Sequence, residues 1–189
     1  MKTNQSKRLH RPMHSSQRGV GMVEVLVAMV LLAIGVLGYS AMQIRAVEAT
    51  GDALTRSQAM VILRGLAENI RVMDTADQSN YTANVHAYAS MTSPTSPAVP
   101  TPNCKTAACT ATQMAAYDAY QTALTAFQKG IHVDMYACPL TATTNADRRC
   151  LVAAWGVTTP TSGTTAATDC ITQAGIYYPN ATCVMLEAY

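Results

Sequence analysis

Three groups of side chains in this 189-residue sequence have chemistry beyond packing. The first is Glu24, the single charge between Val20 and Ile44 in a run dominated by Val, Leu, Ile, Met and Ala. A carboxylate at the centre of a bilayer costs roughly 2.5 kcal/mol or more, less near a helix end, so Glu24 calls for a cationic partner. The second group is six cysteines, Cys104, Cys109, Cys138, Cys150, Cys170 and Cys183, all beyond the apolar run. The third is the set from which an acid–base site would be built: His86 and His132 with Asp118, Asp134 and Asp147. A proline-rich stretch and a predicted helix separate the two histidines, and the aspartates sit in no recognisable motif, so no catalytic residue is assigned. His86 reads as a surface or loop histidine.

The element that positions Glu24 is a long helix. Residues 20–42 at about 1.5 Å per residue would extend about 34 Å, enough to cross a hydrocarbon core of about 30 Å. Five of the thirteen basic residues (Lys2, Lys7, Arg8, Arg11 and Arg18) and no acids precede it. That bias puts the N-terminus in the cytoplasm and the bulk of the chain across the membrane. The apolar stretch is longer than that of a cleaved secretory signal, and no small-residue cleavage region follows it.

The stretch Gln17-Arg18-Gly19-Val20-Gly21-Met22-Val23-Glu24 resembles the N-terminal signature of type IV pilins and pseudopilins. The resemblance implies that prepilin peptidase cuts between Gly19 and Val20 and that the new Val20 amine is methylated. Glu24 then becomes the fifth mature residue, and its carboxylate can meet an N-terminal ammonium of its own or a neighbouring chain, since positions i and i+4 share a helix face. Pairing lowers the cost of both charges where the dielectric is low, so Glu24 is expected to set register and recruitment during assembly. Val20 stands where Phe is usual, and Val-Gly-Met-Val-Glu is the variant associated with PilV-type minor pilins. The long leader and six cysteines fit that subtype. Membership implies no cofactor and no metal. It implies as partners the peptidase, other minor pilins, the major pilin and a tip adhesin, in a complex that primes fibre growth.

On this reading residues 1–19 are a cytoplasmic leader, 20–42 the transmembrane half of the N-terminal helix, 43–74 its amphipathic half, and 75–189 a periplasmic globular region. Without the leader, eight Lys and Arg face eleven Asp and Glu, a formal charge near −3, so the slightly basic pI of 8.2 misleads. No basic patch with interleaved aromatics remains to bind nucleic acid. The subunit is expected in the inner membrane with its globular region in the periplasm before assembly, and at the pilus tip or along the fibre afterwards.

From Ile44 onward, Val47, Gly51, Leu54, Gln58, Ile62, Leu66, Ile70 and Met73 recur at three- or four-residue spacing, predicting an amphipathic continuation that ends near Asp74. Residues 75–89 read as an irregular loop with one short strand. Residues 90–103, with Pro94, Pro97, Pro100 and Pro102, can form neither a helix nor a central strand and read as an exposed connection. Thr110-Ala111-Thr112-Gln113 resembles a capping box. The spacing of Met114, Tyr117, Gln121, Leu124 and Phe127 then predicts a second helix stopped at Gly130, with Tyr117 and Tyr120 as packing residues. Strands are predicted over 131–138, 150–158 and 183–189, with a short piece at 176–178 and polar loops over 141–149 and 158–169.

The expected fold is therefore α+β and type IV pilin-like: a long N-terminal transmembrane and amphipathic helix packed on a small antiparallel sheet of three or four strands, stabilised by disulfides. An oxidising space outside the inner membrane favours disulfides. Six cysteines allow 15 pairings, and nearest-neighbour pairing is the expectation: Cys104–Cys109, Cys138–Cys150 and Cys170–Cys183. The alternative is a zinc site built from cysteines and His132, against which stand the absence of Cys-x-x-Cys and the compartment. Two other functions remain open: a minor pseudopilin of a type II secretion system, and a membrane-anchored periplasmic enzyme or binding protein.

Overall fold

The computed structural model describes residues 19, 21–73, 75–139, 148–165 and 168–188. Most of the predicted leader, the Val20 position, Asp74, Asp147 and most of the predicted loop 141–149 lie outside the described residues. In chain order the elements are α1 (Met22–Val72), α2 (Thr75–Tyr88), α3 (Ala111–Phe127), β1 (Ile131–Ala137), β2 (Arg149–Trp155), β3 (Thr159–Gly163), β4 (Asp169–Thr172) and β5 (Cys183–Glu187). The chain divides into two compact units, Met1–Glu48 and Ala49–Tyr189, and α1 contributes to both. In the first unit its apolar side chains are exposed.

In the second unit α1 buries Ala59, Leu63, Leu66, Ala67 and Ile70, a single stripe at three- and four-residue spacing. The predicted stripe shares Leu66 and Ile70 with it, but Val47 and Leu54 are exposed. The reason is geometric: steps of four advance the helix by about 400°, so a chain of such steps drifts about 40° each time around the cylinder. The core recruits Ala59 and Leu63 in their place.

The clearest departure is α2, which occupies the stretch expected to be irregular. Tyr81, Val85 and Tyr88 are its buried anchors, at the i, i+4, i+7 spacing of one helix face. Three anchors among polar residues make a weak pattern, and a 14-residue helix draws its stability from tertiary packing. That packing is with α3: the Tyr81 hydroxyl donates to Asp118 Oδ2 at 2.9 Å, and the Tyr88 ring meets Tyr120 edge-on at 5.6 Å. The Tyr88 and Tyr120 hydroxyls also donate to the carbonyls of Ala98 and Pro94, pinning the proline-rich connection.

The start of α3 has the predicted reciprocal cap. The Gln113 amide donates to Thr110 Oγ1 at 3.3 Å, and the Thr110 amide to Gln113 Oε1 at 3.0 Å. Gly130, at φ +69°, turns the chain out of the helix in a conformation that L side chains rarely adopt.

Strands β1, β2 and β5 form an antiparallel sheet in the order β1-β2-β5. The register aligns Val133 with Ala153 and Val184, and Met135 with Leu151 and Leu186. These residues alternate onto the face packed with the helices, in one core with Leu63, Ile70, Tyr81 and Ile131. Val152, Ala154 and Cys183 point the other way and join Cys170 and Ile171 in a second cluster. Each strand is shorter than predicted, and β2 stops at Trp155 because Gly156 turns there with φ +69°.

A second departure concerns 158–169, expected to be a polar loop. It contains β3, which pairs parallel with β4. Asp169 ties the two strands together: its carboxylate accepts from Thr161 Oγ1 at 2.7 Å and from the Thr165 amide at 2.8 Å. Side-chain ties of this kind carry no hydrophobic period. The strand piece expected at 176–178 is reduced to one bridge, Ile171 to Tyr177.

The cysteines pair as Cys104–Cys109, Cys138–Cys150 and Cys170–Cys183. None is left free, which removes them from any metal ligand set.

Candidate functional site

The segment with the most specific chemistry is the start of α1. Gly21 precedes the helix, and its carbonyl accepts from the Glu24 amide at 2.9 Å and the Val25 amide at 3.3 Å, closing the first turn. Glu24 therefore lies in the first turn, where a carboxylate is favoured by the positive end of the helix dipole. Gly19 is exposed just ahead of it, and among the described residues no side chain pairs with Glu24. Val20, the predicted site of cleavage and methylation, lies outside the described residues.

Beyond Glu24 the helix carries Val25, Leu26, Val30, Leu31, Ile34 and Leu37 toward its surroundings, all exposed. It is long and apolar enough to cross a membrane. Ser40 satisfies its hydroxyl within the helix by donating to the Val36 carbonyl at 2.8 Å, so it adds no unpaired polar group to the run. Polarity returns with the ion pair of Arg45 and Glu48 at 3.3 Å.

The other candidates divide. Asp118 is bound to Tyr81, and burial raises its carboxyl above the usual range while the tyrosine bond opposes the rise. Asp134 is buried and meets Nδ1 of His86. His86 is thus a partner in a helix-to-strand contact, not an isolated loop residue. His86 and His132, judged separate from their sequence distance, line one cleft with Asp134. Sequence reasoning missed this grouping because it missed α2. The available signal was the spacing of Tyr81, Val85 and Tyr88, which places His86 on the neighbouring face.

An apolar first helix with a lone acid in its opening turn, continuing into an α+β unit stapled by three disulfides, defines the pilin-like class. Comparison with known families agrees. Residues 14–40 match the prokaryotic N-terminal methylation motif, and residues 41–120 match the type IV pilin Tt1218 family. Over residues 14–120 the chain is thus similar to type IV pilins. The second match reaches through α2 and into α3, well past the N-terminal signature. No curated protein and no solved structure matches the chain.

Proposed function

We propose that this chain is a non-enzymatic minor pilin of the PilV type. Prepilin peptidase cuts it between Gly19 and Val20, Val20 is N-methylated, and the subunit joins a priming or tip complex that promotes pilus assembly. Residues 20–42 hold it in the inner membrane until extraction, and the region from 75 onward faces the periplasm. In the filament, Glu24 takes the terminal ammonium of a neighbouring subunit.

The observation that carries this reading is the register of Gly19 and Glu24 at the head of an exposed apolar helix, inside the matched methylation motif. The Val-Gly-Met-Val-Glu start and six cysteines support the minor subtype.

The test is mass spectrometry of the N-terminal peptide from membrane and sheared-surface fractions of the native host. The expected product begins at methylated Val20 and is recovered with pilins. Recovery with secretion-system components instead would assign the chain to the pseudopilins. A chain beginning at Met1 would overturn the processing step.

A further inference from the structure

The end of α2, strand β1 and strand β3 enclose a cleft of ≈ 490 Å³, to which His86 and His132 contribute from different elements. Its size falls within the range of small-ligand pockets, about 300–1,000 Å³. Met91 and Pro160, both buried, give it apolar surface.

The polar groups of the cleft divide into those already bonded and those left open. Asp134 is 2% exposed, accepts from the Met135 amide at 2.7 Å, and holds its two oxygens 3.0 and 3.1 Å from His86 Nδ1. An ionised carboxylate only accepts, so Nδ1 donates and Nε2 keeps its lone pair. The His86 side chain is 71% exposed, and no described residue bonds Nε2. Thr159 and Thr161 lie 2.7 Å apart, oxygen to oxygen, and Thr161 donates to Asp169. Ser90, Thr92 and His132 line the same cleft, and among the described residues their hydroxyls and ring nitrogens have no hydrogen-bond partner.

These open groups narrow the ligand. No Lys or Arg lines the cleft, so an anion finds no counter-charge, and the one buried acid has both oxygens engaged, so a cation finds none either. A wholly apolar ligand would strip water from the free hydroxyls and imidazoles without replacing its hydrogen bonds. An extended peptide docks on a strand through backbone bonds, and the strand edge here is closed to one. The Cys138 amide donates to the Arg148 carbonyl, so the even-numbered residues of β1 bond β2 and the Met135 amide faces the open edge. That amide is taken by Asp134. What fits is a neutral molecule with several hydroxyls, each able to donate and accept, and a C–H face to lie on Met91 and Pro160. A sugar has both.

The geometry points to a binding site for a neutral saccharide in this cleft. One sugar hydroxyl donates to His86 Nε2, and Ser90, Thr92 and His132 bond others. Asp134 is the positioning residue that fixes the tautomer and orientation of His86. The site lies within the folded unit that begins at Ala49 and does not depend on cleavage at Gly19.

The experiment uses the full chain carrying His10→Ala and His14→Ala, so that two imidazoles remain, in dodecylphosphocholine micelles, whose headgroup is not a sugar. Maltose, lactose and N,N′-diacetylchitobiose are added in turn while the histidine ring resonances are followed by NMR. At least one sugar should shift both rings along a single saturation curve in the millimolar range. For that sugar, His86→Ala and the double variant Ser90→Ala, Thr92→Ala should each weaken binding about threefold or more, the loss of one or two hydrogen bonds. Ser90 and Thr92 are exposed, so their replacement leaves the core intact. No saturable shift with any of the three sugars, a shift in one ring alone, or binding unchanged in both variants would overturn the site. A blocked tripeptide, N-acetyl-Ala-Ser-Ala-amide, is added in parallel. A stronger shift from it than from every sugar would overturn the saccharide in favour of a peptide.

Discussion

The indole nitrogen of Trp155 donates to Asp52 Oδ1 at 3.2 Å, tying the last residue of β2 to the first outer turns of α1 across 103 positions of sequence. It is a polar tie at the near end of a contact otherwise made by apolar side chains. Asp52 is exposed and Trp155 nearly buried, so the bond is partly screened and should be worth about 1 kcal/mol. Asp52→Ala should lower stability by that amount and speed amide exchange over residues 51–56. In a double-mutant cycle with Trp155→Phe, which also trims a buried ring, the combined loss should fall short of the sum of the two single losses by about that amount. Full additivity would show that the two residues act independently.

Leu63 is fully buried, while Val61, two residues away on the same helix, is 68% exposed. Leu63→Ala removes packed methyl groups from the common core and should cost about 2–5 kcal/mol in denaturant unfolding. Val61→Ala should change stability by no more than about 0.5 kcal/mol. Equal losses at both positions would mean that the helix presents another face to the sheet.

Cys170–Cys183 ties β4 to β5 across 13 residues, with both partners buried in the cluster behind the sheet. Replacing the pair by serines should cost about 3 kcal/mol or more, the chain-entropy contribution joined by burial of two hydroxyls. Cys104–Cys109 closes a much smaller loop whose intervening residues are exposed, and its replacement should cost less. Thermal unfolding of the two double variants ranks them directly.

Burial raises the Asp118 carboxyl above its ordinary 3.8. A raised folded-state value means that the protonated form is favoured in the native protein. Its contribution to stability is complete below about pH 3.8 and is lost as pH rises through the folded-state value. Asp118→Asn keeps an acceptor for the Tyr81 hydroxyl and cannot ionise. The variant should therefore gain on the parent as pH climbs from the acid limit to neutrality. Unfolding curves at a series of pH values would show a constant or reversed difference if Asp118 were not held in a low-dielectric position.

At the other end of the chain, Glu24→Ala should still be cleaved but should enter sheared filaments at least tenfold less than the parent. That factor corresponds to about 1.4 kcal/mol, well below the several kcal/mol of an ammonium left buried without its partner. Quantifying both forms in one host measures it. Equal incorporation would remove Glu24 from the assembly contact.

The N-terminal helix and its lone acid were legible because their signals are local. A long apolar run and a carboxylate in a fixed register act through neighbours in sequence. The cap at Thr110 and Gln113 and the stop at Gly130 were legible for the same reason, since each is completed within a few residues. The α2 helix was less so. Its anchors Tyr81, Val85 and Tyr88 number three, and what makes them decisive is α3, which supplies Asp118 and Tyr120 from more than thirty residues away.

Sequence by itself determined the class of this protein, because the motif, the charge step before it and the apolar helix after it need no tertiary contact to exist. Tertiary structure alone decided which face of α1 is covered, that β3 pairs parallel with β4, and that His86, His132 and Asp134 share one cleft. The first and the last depend on elements distant along the chain meeting in space, and the β3–β4 pairing on side-chain ties at Asp169 that carry no hydrophobic period. Burial of Asp134 beside a helix that the periodicity barely announces is an outcome of packing, and no local pattern encodes it.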